Sequence, residues 1–287
     1  MRMMTNPAQG AASVYVTCVN SVGDVDLRNN LSSVLPQINA GYTDFDAKAI
    51  AGELYQIPPD ERAPTATFLN VASKQDFKNL YTQQMATLGK PARTDYDRLI
   101  ASAPKGKCPL CGYGQAKTLD HYLPKSKYPQ FSVYPPNLVP ACTDCNFGKR
   151  SSIARTKDQQ GIHPYFDSHL MGDQWLFAEV VPGSPATLRY FVEPPSNWDP
   201  SDKARVRSHF DSLKLSARLA VEAADELSNV RDTIRRHSAG GGAAQIRADL
   251  LAGAEDRYAI QKNSWQTALY QALAVSVWYC NGGYEEV

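Results

Sequence analysis

Apolar residues recur every three or four positions near the end of the chain. Between residues 203 and 237 they are Val206, Phe210, Leu213, Ala217, Ala220, Ala224, Leu227, Val230 and Ile234. This spacing places them along one helical face and predicts a single long amphipathic helix. The glycine run 240–242 ends that helix, and two further helices are predicted at about 244–252 and 254–279.

Shorter patterns organise the preceding part of the chain. Three short helices are predicted, at 47–55, at 74–88 from its apolar periodicity, and at 94–102 from the N-cap candidate Thr94 with Asp97 three residues later. The β-branched and aromatic run 14–19 predicts a strand, and two β-rich runs, 175–181 and 187–193, predict a hairpin around a Pro- and Gly-containing loop. Many helices with a few short strands indicate an α+β protein.

Composition and charge narrow the class of protein. The chain has 287 residues, 43% hydrophobic, which is enough for one sizeable domain or two small ones. Its formal net charge is +1, so any affinity for a polyanion requires a local basic patch. The first twenty residues contain no continuous apolar run, and the most apolar tract, 268–279, is too short to span a bilayer. The sequence therefore predicts a cytoplasmic protein.

Four of the six cysteines form two C-x-x-C pairs, Cys108 with Cys111 and Cys142 with Cys145. In a reducing compartment this spacing indicates metal binding in preference to disulfides. Two such pairs predict a closed tetrahedral zinc site with four thiolates and a structural role. The alternative is two unrelated clusters of buried cysteines. Cys18 and Cys280 are predicted to be ordinary thiols without a ligand role.

The segment between and just after the cysteine pairs contains Asp120, His121, Asn137 and Asn146. With the cysteines, this order of residues over 108–150 resembles the HNH endonuclease family, in which a ββα-metal site is built between zinc knuckles. The resemblance implies a treble-clef ββα module. The third signature residue of that family is often histidine. This chain has Asn146 at that position, where asparagine also occurs in the family.

The resemblance implies metal-dependent hydrolysis of phosphodiester bonds, with DNA favoured over RNA as substrate. His121 would be the general base that deprotonates water, and Asp120 and Asn146 would hold a divalent ion. Two oxygen ligands suit Mg²⁺ or Mn²⁺. Asn137 would brace the loop that orients His121.

Each of these residues also has a purely structural interpretation. An Asp-His pair commonly forms a turn with a solvent-facing imidazole. Asn137 follows two prolines and could cap a turn. His163, in the sequence His-Pro-Tyr-Phe-Asp, could contact the site or a phosphate, or be a buried structural histidine.

Basic residues in and after the module predict a surface that contacts the nucleic-acid backbone. They are Lys125, Lys127, Lys149, Arg150 and Arg155, interleaved with tyrosines. Exposed lysines are common, however, and the tyrosines could serve packing alone.

These patterns divide the chain into a mainly helical part (1–103), the HNH module (104–160), and a hairpin with C-terminal helices (161–287). The whole arrangement is also similar, more loosely, to HNH nucleases of Septu-type and retron-associated anti-phage systems. That similarity implies a defence effector acting with a larger partner, an ATPase subunit. Two other classes remain open: a catalytically inactive zinc-stabilised binding subunit, and a structural subunit whose C-terminal helices are the main function.

Overall fold

The computed structural model describes residues 1–7, 10–149 and 153–287 and divides into two compact units. The N-terminal unit comprises residues 2–168, and the C-terminal unit comprises Met1 with residues 169–287. Apart from Met1, the predicted segments 1–103 and 104–160 both belong to the N-terminal unit. The architecture is a mixture of helices and small sheets, as the sequence predicts.

The N-terminal unit is mainly helical. Its helices are α1 (Ala11–Asn20), α2 (Val25–Ser33), α3 (Leu35–Ile50), α4 (Lys74–Asn79), α5 (Arg93–Ala101) and α6 (Thr143–Lys149). A π-helical turn, Leu80–Met85, continues α4. The start of α4 is fixed by a capping box. The side chain of Ser73 accepts a hydrogen bond from the backbone amide of Asp76, and the side chain of Asp76 accepts one from the backbone amide of Ser73.

The first helix contradicts the strand predicted at 14–19. Residues 11–20 form α1, and its buried side chains are Ala11, Val14, Tyr15, Cys18 and Val19. These positions are spaced by three and four residues, so one helical face enters the core. Tyr15 Oη also donates to the carbonyl oxygen of Leu31 at 2.9 Å, which joins α1 to α2. Burial along this face outweighs the strand preference of the β-branched residues.

Aromatic side chains join α3 to the segment between the two cysteine pairs. The Tyr42 ring stacks on Tyr134 with centroids 3.9 Å apart, and Phe45 packs edge-on against Phe131 at 5.1 Å. All four residues are buried. The helices of the N-terminal unit and the cysteine segment therefore share one core, and the segment does not depend on metal alone for its packing.

The strands form three separate two-stranded antiparallel sheets in the described part of the chain. They pair β1 (Thr67–Phe68) with β2 (Ala72–Ser73), β3 (Thr118–His121) with β4 (Leu138–Ala141), and β5 (Leu176–Val181) with β6 (Thr187–Val192). The last pair is the predicted hairpin and belongs to the C-terminal unit. The middle pair carries the candidate site.

The C-terminal unit packs helices on that hairpin. They are α7 (Pro200–Ser212), α8 (Leu215–His237), α9 (Gly242–Ile260), α10 (Trp265–Val275) and α11 (Val277–Cys280). The single helix predicted over 203–237 is wrong, because Lys214 adopts a positive φ of 52° and separates α7 from α8. The apolar periodicity continues across that break. It therefore could not reveal a change in backbone direction.

The helix predicted over 254–279 is also wrong in its bounds. Asn263 interrupts it, and its Oδ1 accepts hydrogen bonds from the amides of Trp175 and Leu176 at 2.8 and 3.0 Å. Ser264 then caps the start of α10. In the part of the chain that the structure describes, none of the helices combines the length and apolar character needed to cross a bilayer.

Candidate metal centre and active site

Two short strands and the following helix carry most of the chemistry-bearing residues. β3 ends at His121, β4 runs antiparallel beside it, and α6 begins at Thr143, directly after Cys142. Side chains alternate across a strand. Thr118 and Asp120 therefore share one face of β3, and His121 is the last residue of the strand.

The four cysteines of the two pairs converge on one point. All four are buried, and their sulfur atoms lie within 4.8 Å of one another. The sulfurs of Cys111 and Cys142 are 3.9 Å apart. Four sulfurs arranged tetrahedrally around zinc, at Zn–S distances of about 2.3 Å, are separated by about 3.8 Å. The cluster has these dimensions and could hold a metal such as zinc.

Backbone hydrogen bonds shape the first C-x-x-C pair as a ligand loop. The amide of Gly112 donates to the carbonyl oxygen of Cys108 at 2.8 Å, and the amide of Gly114 donates to Cys111 Sγ at 3.4 Å. A hydrogen bond with Cys108 lowers the pKa of the Cys111 thiol to about 7. The same four-thiol network raises the pKa of Cys108 and Cys145, so the thiols share their protons and would release them when a metal binds.

Gly114 permits the close approach of the second pair. A Cβ at this position would lie 2.9 Å from Cys142 Sγ and 3.4 Å from Cys111 Sγ. We expect Gly114→Ala to displace Cys142, lower the zinc content and destabilise the protein by roughly 1–3 kcal/mol. Metal analysis and thermal unfolding measure both effects.

Gly148→Ala is the matched control, because a Cβ at Gly148 would meet no atom within 4 Å. Gly148 lies inside α6, where alanine is the better helix former. This variant should bind zinc as the unaltered protein does. Equal zinc content and stability in the two variants would contradict the packing described for Gly114.

Asp120 and Asn146 approach the same face of β3. Asp120 is buried, and Asn146 Nδ2 donates to Thr118 Oγ1 at 3.0 Å, which fixes the asparagine of α6 over the face that Thr118 shares with Asp120. An amide whose nitrogen donates in this way can offer its oxygen to a cation. A carboxylate oxygen and an amide oxygen are both ligands that suit a hard divalent ion.

His121 is buried against the protein interior, with an exposed fraction of 8%. Its Nε2 lies 2.8 Å from the carbonyl oxygen of Ser132. A carbonyl can only accept, so Nε2 carries the hydrogen and the neutral ring has its lone pair on Nδ1. Ser132 is held in turn, since its Oγ donates to the carbonyl oxygen of Phe77 at 2.6 Å. The solvent-facing imidazole considered as an alternative is not what the structure shows.

Asn137 closes the loop that follows His121. Its side chain is fully buried, and Oδ1 accepts from the amide of Leu123 at 2.7 Å. Its Nδ2 donates to the carbonyl oxygens of Leu123 and Phe131 at 3.0 and 3.1 Å. The Asn137 side chain thus connects the beginning of the loop to its later part. These contacts reach further along the chain than the local turn cap considered as the alternative.

The predicted basic surface is altered by an acidic residue from another part of the chain. Lys127 pairs with Glu61, and Arg155 Nη2 lies 3.0 Å from Oε1 of the same carboxylate. Those hydrogen bonds, first the one from Lys127, lower the pKa of Glu61. Lys125 instead lies with its Nζ 4.2 Å from the centroid of the Tyr81 ring. Arg150 and the Lys149 side chain lie outside the described residues.

His163 lies in an aromatic core. It is 1% exposed, its Nδ1 accepts from the amide of Tyr165 at 3.3 Å, and its ring is 4.1 Å from that of Tyr122 and 4.8 Å from that of Phe166. These contacts match the structural interpretation of His163.

Three further residues around the site escaped the sequence argument. Tyr81 matches the apolar face of a predicted helix, Ser132 acts through its main-chain oxygen, and Glu61 lies in a stretch with no predicted element. Tyr81 packs nearly perpendicular to His121, with ring centroids 4.5 Å apart and an interplanar angle of 74°. No local sequence signal distinguishes this tyrosine from an ordinary core residue.

Fold and site together define a mixed helix and sheet protein with a buried four-cysteine cluster suited to a metal ion. The chain belongs to the family of protein ea31 of Escherichia phage lambda. The two are 32% identical over 293 residues, which cover 96% of this chain and 98% of the phage protein. No protein-family model matches the chain, and no solved structure matches it.

Proposed function

We propose that the protein is a metal-dependent HNH endonuclease that hydrolyses phosphodiester bonds, with DNA as the favoured substrate. The observation that carries the proposal is the placement of four residues around β3. Asp120 and His121 end that strand, Asn146 is bonded to it from α6, and Asn137 closes the loop after it. The four-cysteine cluster, assigned here to zinc, lies in the same segment.

In this proposal His121 is the general base. Its Nε2–H donates to the Ser132 carbonyl, so Nδ1 is the atom that takes the proton from water. The same hydrogen bond stabilises the imidazolium that forms, because the carbonyl dipole faces the N–H of the protonated ring. Asn137 holds the loop that supplies Ser132 and so keeps the ring oriented.

Asp120 and Asn146 are the proposed ligands of the catalytic ion, Mg²⁺ or Mn²⁺. A divalent ion bound there would supply positive charge for the phosphate oxygens and the leaving oxygen. Asp120 provides the negative charge and Asn146 a neutral oxygen. His163 has no step in this reaction. Lys125 and the neighbouring cations are proposed to contact the phosphate backbone.

A direct assay tests this function. Purified protein is incubated with supercoiled plasmid, linear DNA and tRNA, each with Mg²⁺, Mn²⁺ or EDTA. We expect cleavage of DNA that requires the divalent ion and stops with EDTA. Absence of cleavage of every substrate with either ion would overturn the proposal.

One observation favours a second candidate, a zinc-stabilised binding subunit without catalysis. Asp120 and His121 are only 5% and 8% exposed, so a phosphodiester has little direct access to them. Under this alternative, His121→Ala would leave all nucleic-acid or protein binding unchanged, and no cleavage would be found. Metal-dependent cleavage by the unaltered protein excludes it.

We also propose that a protein partner controls cutting, as the resemblance to anti-phage effectors with a partner ATPase implies. In the C-terminal unit Val221, Val275 and Val277 are exposed apolar side chains that a partner could cover. Coexpression with the products of neighbouring genes should yield a larger species on size-exclusion chromatography and change the cleavage rate. Full, specific activity of a lone monomer that binds none of these products would contradict partner control.

A further inference from the structure

A π-helical turn approaches the candidate site from outside the cysteine segment. In Leu80–Met85 the helix widens, and the amide of Ala86 donates to the carbonyl oxygen of Tyr81, five residues earlier, at 2.8 Å. Such turns are rare and are frequently found at functional sites. An α-helix continued from α4 would direct Tyr81 differently, so the irregular turn determines where this side chain points.

Tyr81 contacts β3 at two points. Its Oη donates to the carbonyl oxygen of Leu119 at 3.3 Å, and its ring lies against the imidazole of His121 with centroids 4.5 Å apart. The ring is 9% exposed. His121 is therefore confined on one side by the Tyr81 ring and held on another by its hydrogen bond to Ser132. These two contacts restrict rotation of the imidazole.

The same ring holds a cation. Lys125 Nζ lies 4.2 Å from the Tyr81 centroid, so the ammonium and the His121 imidazole both contact one aromatic side chain. Desolvation, with a smaller contribution from Lys78, lowers the pKa of Lys125 to about 8. The negative face of the aromatic ring attracts the ammonium and helps to keep it in place.

We propose that Tyr81 is a positioning residue of the candidate nuclease site, orienting the His121 imidazole and holding the Lys125 ammonium against the same aromatic ring. The inference rests on the proposed function. Lys125 would then bind an oxygen of the scissile phosphate and offset the negative charge that develops during attack by water. Lys127 and Arg155 are less suited to this role because both pair with Glu61.

The first test is spectroscopic and does not require activity. Nitrogen-15 NMR of the full-length protein reports the His121 tautomer and ring mobility. Tyr81→Phe keeps the ring and should preserve the Nε2–H form. Tyr81→Leu removes the ring and should shift the imidazole toward a mixture of tautomers. An identical His121 spectrum in Tyr81→Leu would overturn the positioning role.

The second test is kinetic. Tyr81→Leu should lower kcat about tenfold to a hundredfold with little change in KM, because orientation of the base affects the chemical step. Tyr81→Phe should restore most of kcat. Lys125→Met should lower kcat/KM about tenfold or more. Wild-type kinetics in both Tyr81→Leu and Lys125→Met would also overturn the inference.

Lys262→Met is the matched lysine control. Its Nζ lies 5.5 Å from the Tyr258 ring in the C-terminal unit, a looser cation–π pair in a surface setting. It should leave cleavage unchanged. If Tyr81→Leu fails to fold, Lys125→Met still decides the matter, since its side chain is only partly buried. Should the unaltered protein cleave nothing, the proposed function fails, and the NMR comparison alone decides whether Tyr81 positions His121.

Discussion

His121→Ala should abolish cleavage while leaving fold and zinc content intact. The variant loses the Nδ1 lone pair, which accepts the proton of water in the proposed reaction, and a positioned general base contributes about 10²–10⁴-fold to such reactions. The other imidazole described in the N-terminal unit, that of His163, lies among aromatic rings and cannot replace it. Turnover of supercoiled plasmid under saturating Mg²⁺ measures the loss.

The matched control is His237→Ala, which removes an exposed histidine at the end of α8 and should cleave normally. Circular dichroism and zinc analysis must be unchanged in both variants for the comparison to concern the base.

Asp120→Ala and Asn146→Ala should instead lose activity in a way that higher Mg²⁺ partly restores, because they weaken binding of the ion. Cleavage by His121→Ala at the unaltered rate would eliminate His121 as the base.

The sequence predicted the metal cluster because its signal is local. Each C-x-x-C pair brings two thiols together within one short loop, and only the meeting of the two loops had to be inferred. The structure places all four sulfurs together. The environment of His121 could not be predicted from the sequence in the same way. Tyr81 and Ser132 lie 40 and 11 positions away from it and show no recognisable spacing.

Helix bounds failed at two breaks that the apolar periodicity does not show. The apolar pattern runs without interruption across Lys214, yet the backbone breaks there, and Asn263 leaves the helical conformation to bond the first residues of the hairpin. The 14–19 segment failed for a related reason. Its β-branched residues favour a strand, but burial of a three- and four-spaced face against α2 decides the outcome. Neither contact has a local signal.

The structure also changes the expectation for the basic surface. The sequence places several cations in one segment, but Glu61 comes from a distant loop and pairs with Lys127 and Arg155. These pairs are exposed and individually weak, so salt screens them readily. Among the predicted cations whose side chains the structure describes, Lys125 lies against the Tyr81 ring, whereas Lys127 and Arg155 pair with Glu61.

Cys142→Ser should remove the metal and unfold the segment around β3 and β4. A serine hydroxyl is a poor zinc ligand at neutral pH, and the remaining three thiols would be left clustered in the interior. Structural zinc contributes roughly 10–16 kcal/mol of binding free energy in small zinc-dependent peptides. Here aromatic packing between Tyr42, Phe45, Phe131 and Tyr134 adds to the stability. We therefore expect local unfolding and a large fall in melting temperature. The helix α3 and the C-terminal unit should retain their helical structure.

Cys280→Ser is the matched control for the loss of Cys142. Cys280 is also buried, but its Sγ lies 3.5 Å from the carbonyl oxygen of Leu273, to which a serine hydroxyl can donate equally well. Zinc content should fall to near zero in Cys142→Ser and stay at about one per chain in Cys280→Ser.

Hydrogen exchange should show rapid exchange of the amides of β3 and β4 only in the first variant. Because β3 carries Asp120 and His121, cleavage should disappear together with this protection, even when Mg²⁺ is raised. Folded, zinc-free protein with protected β3 amides would show that the cysteine cluster is not what holds the site in place.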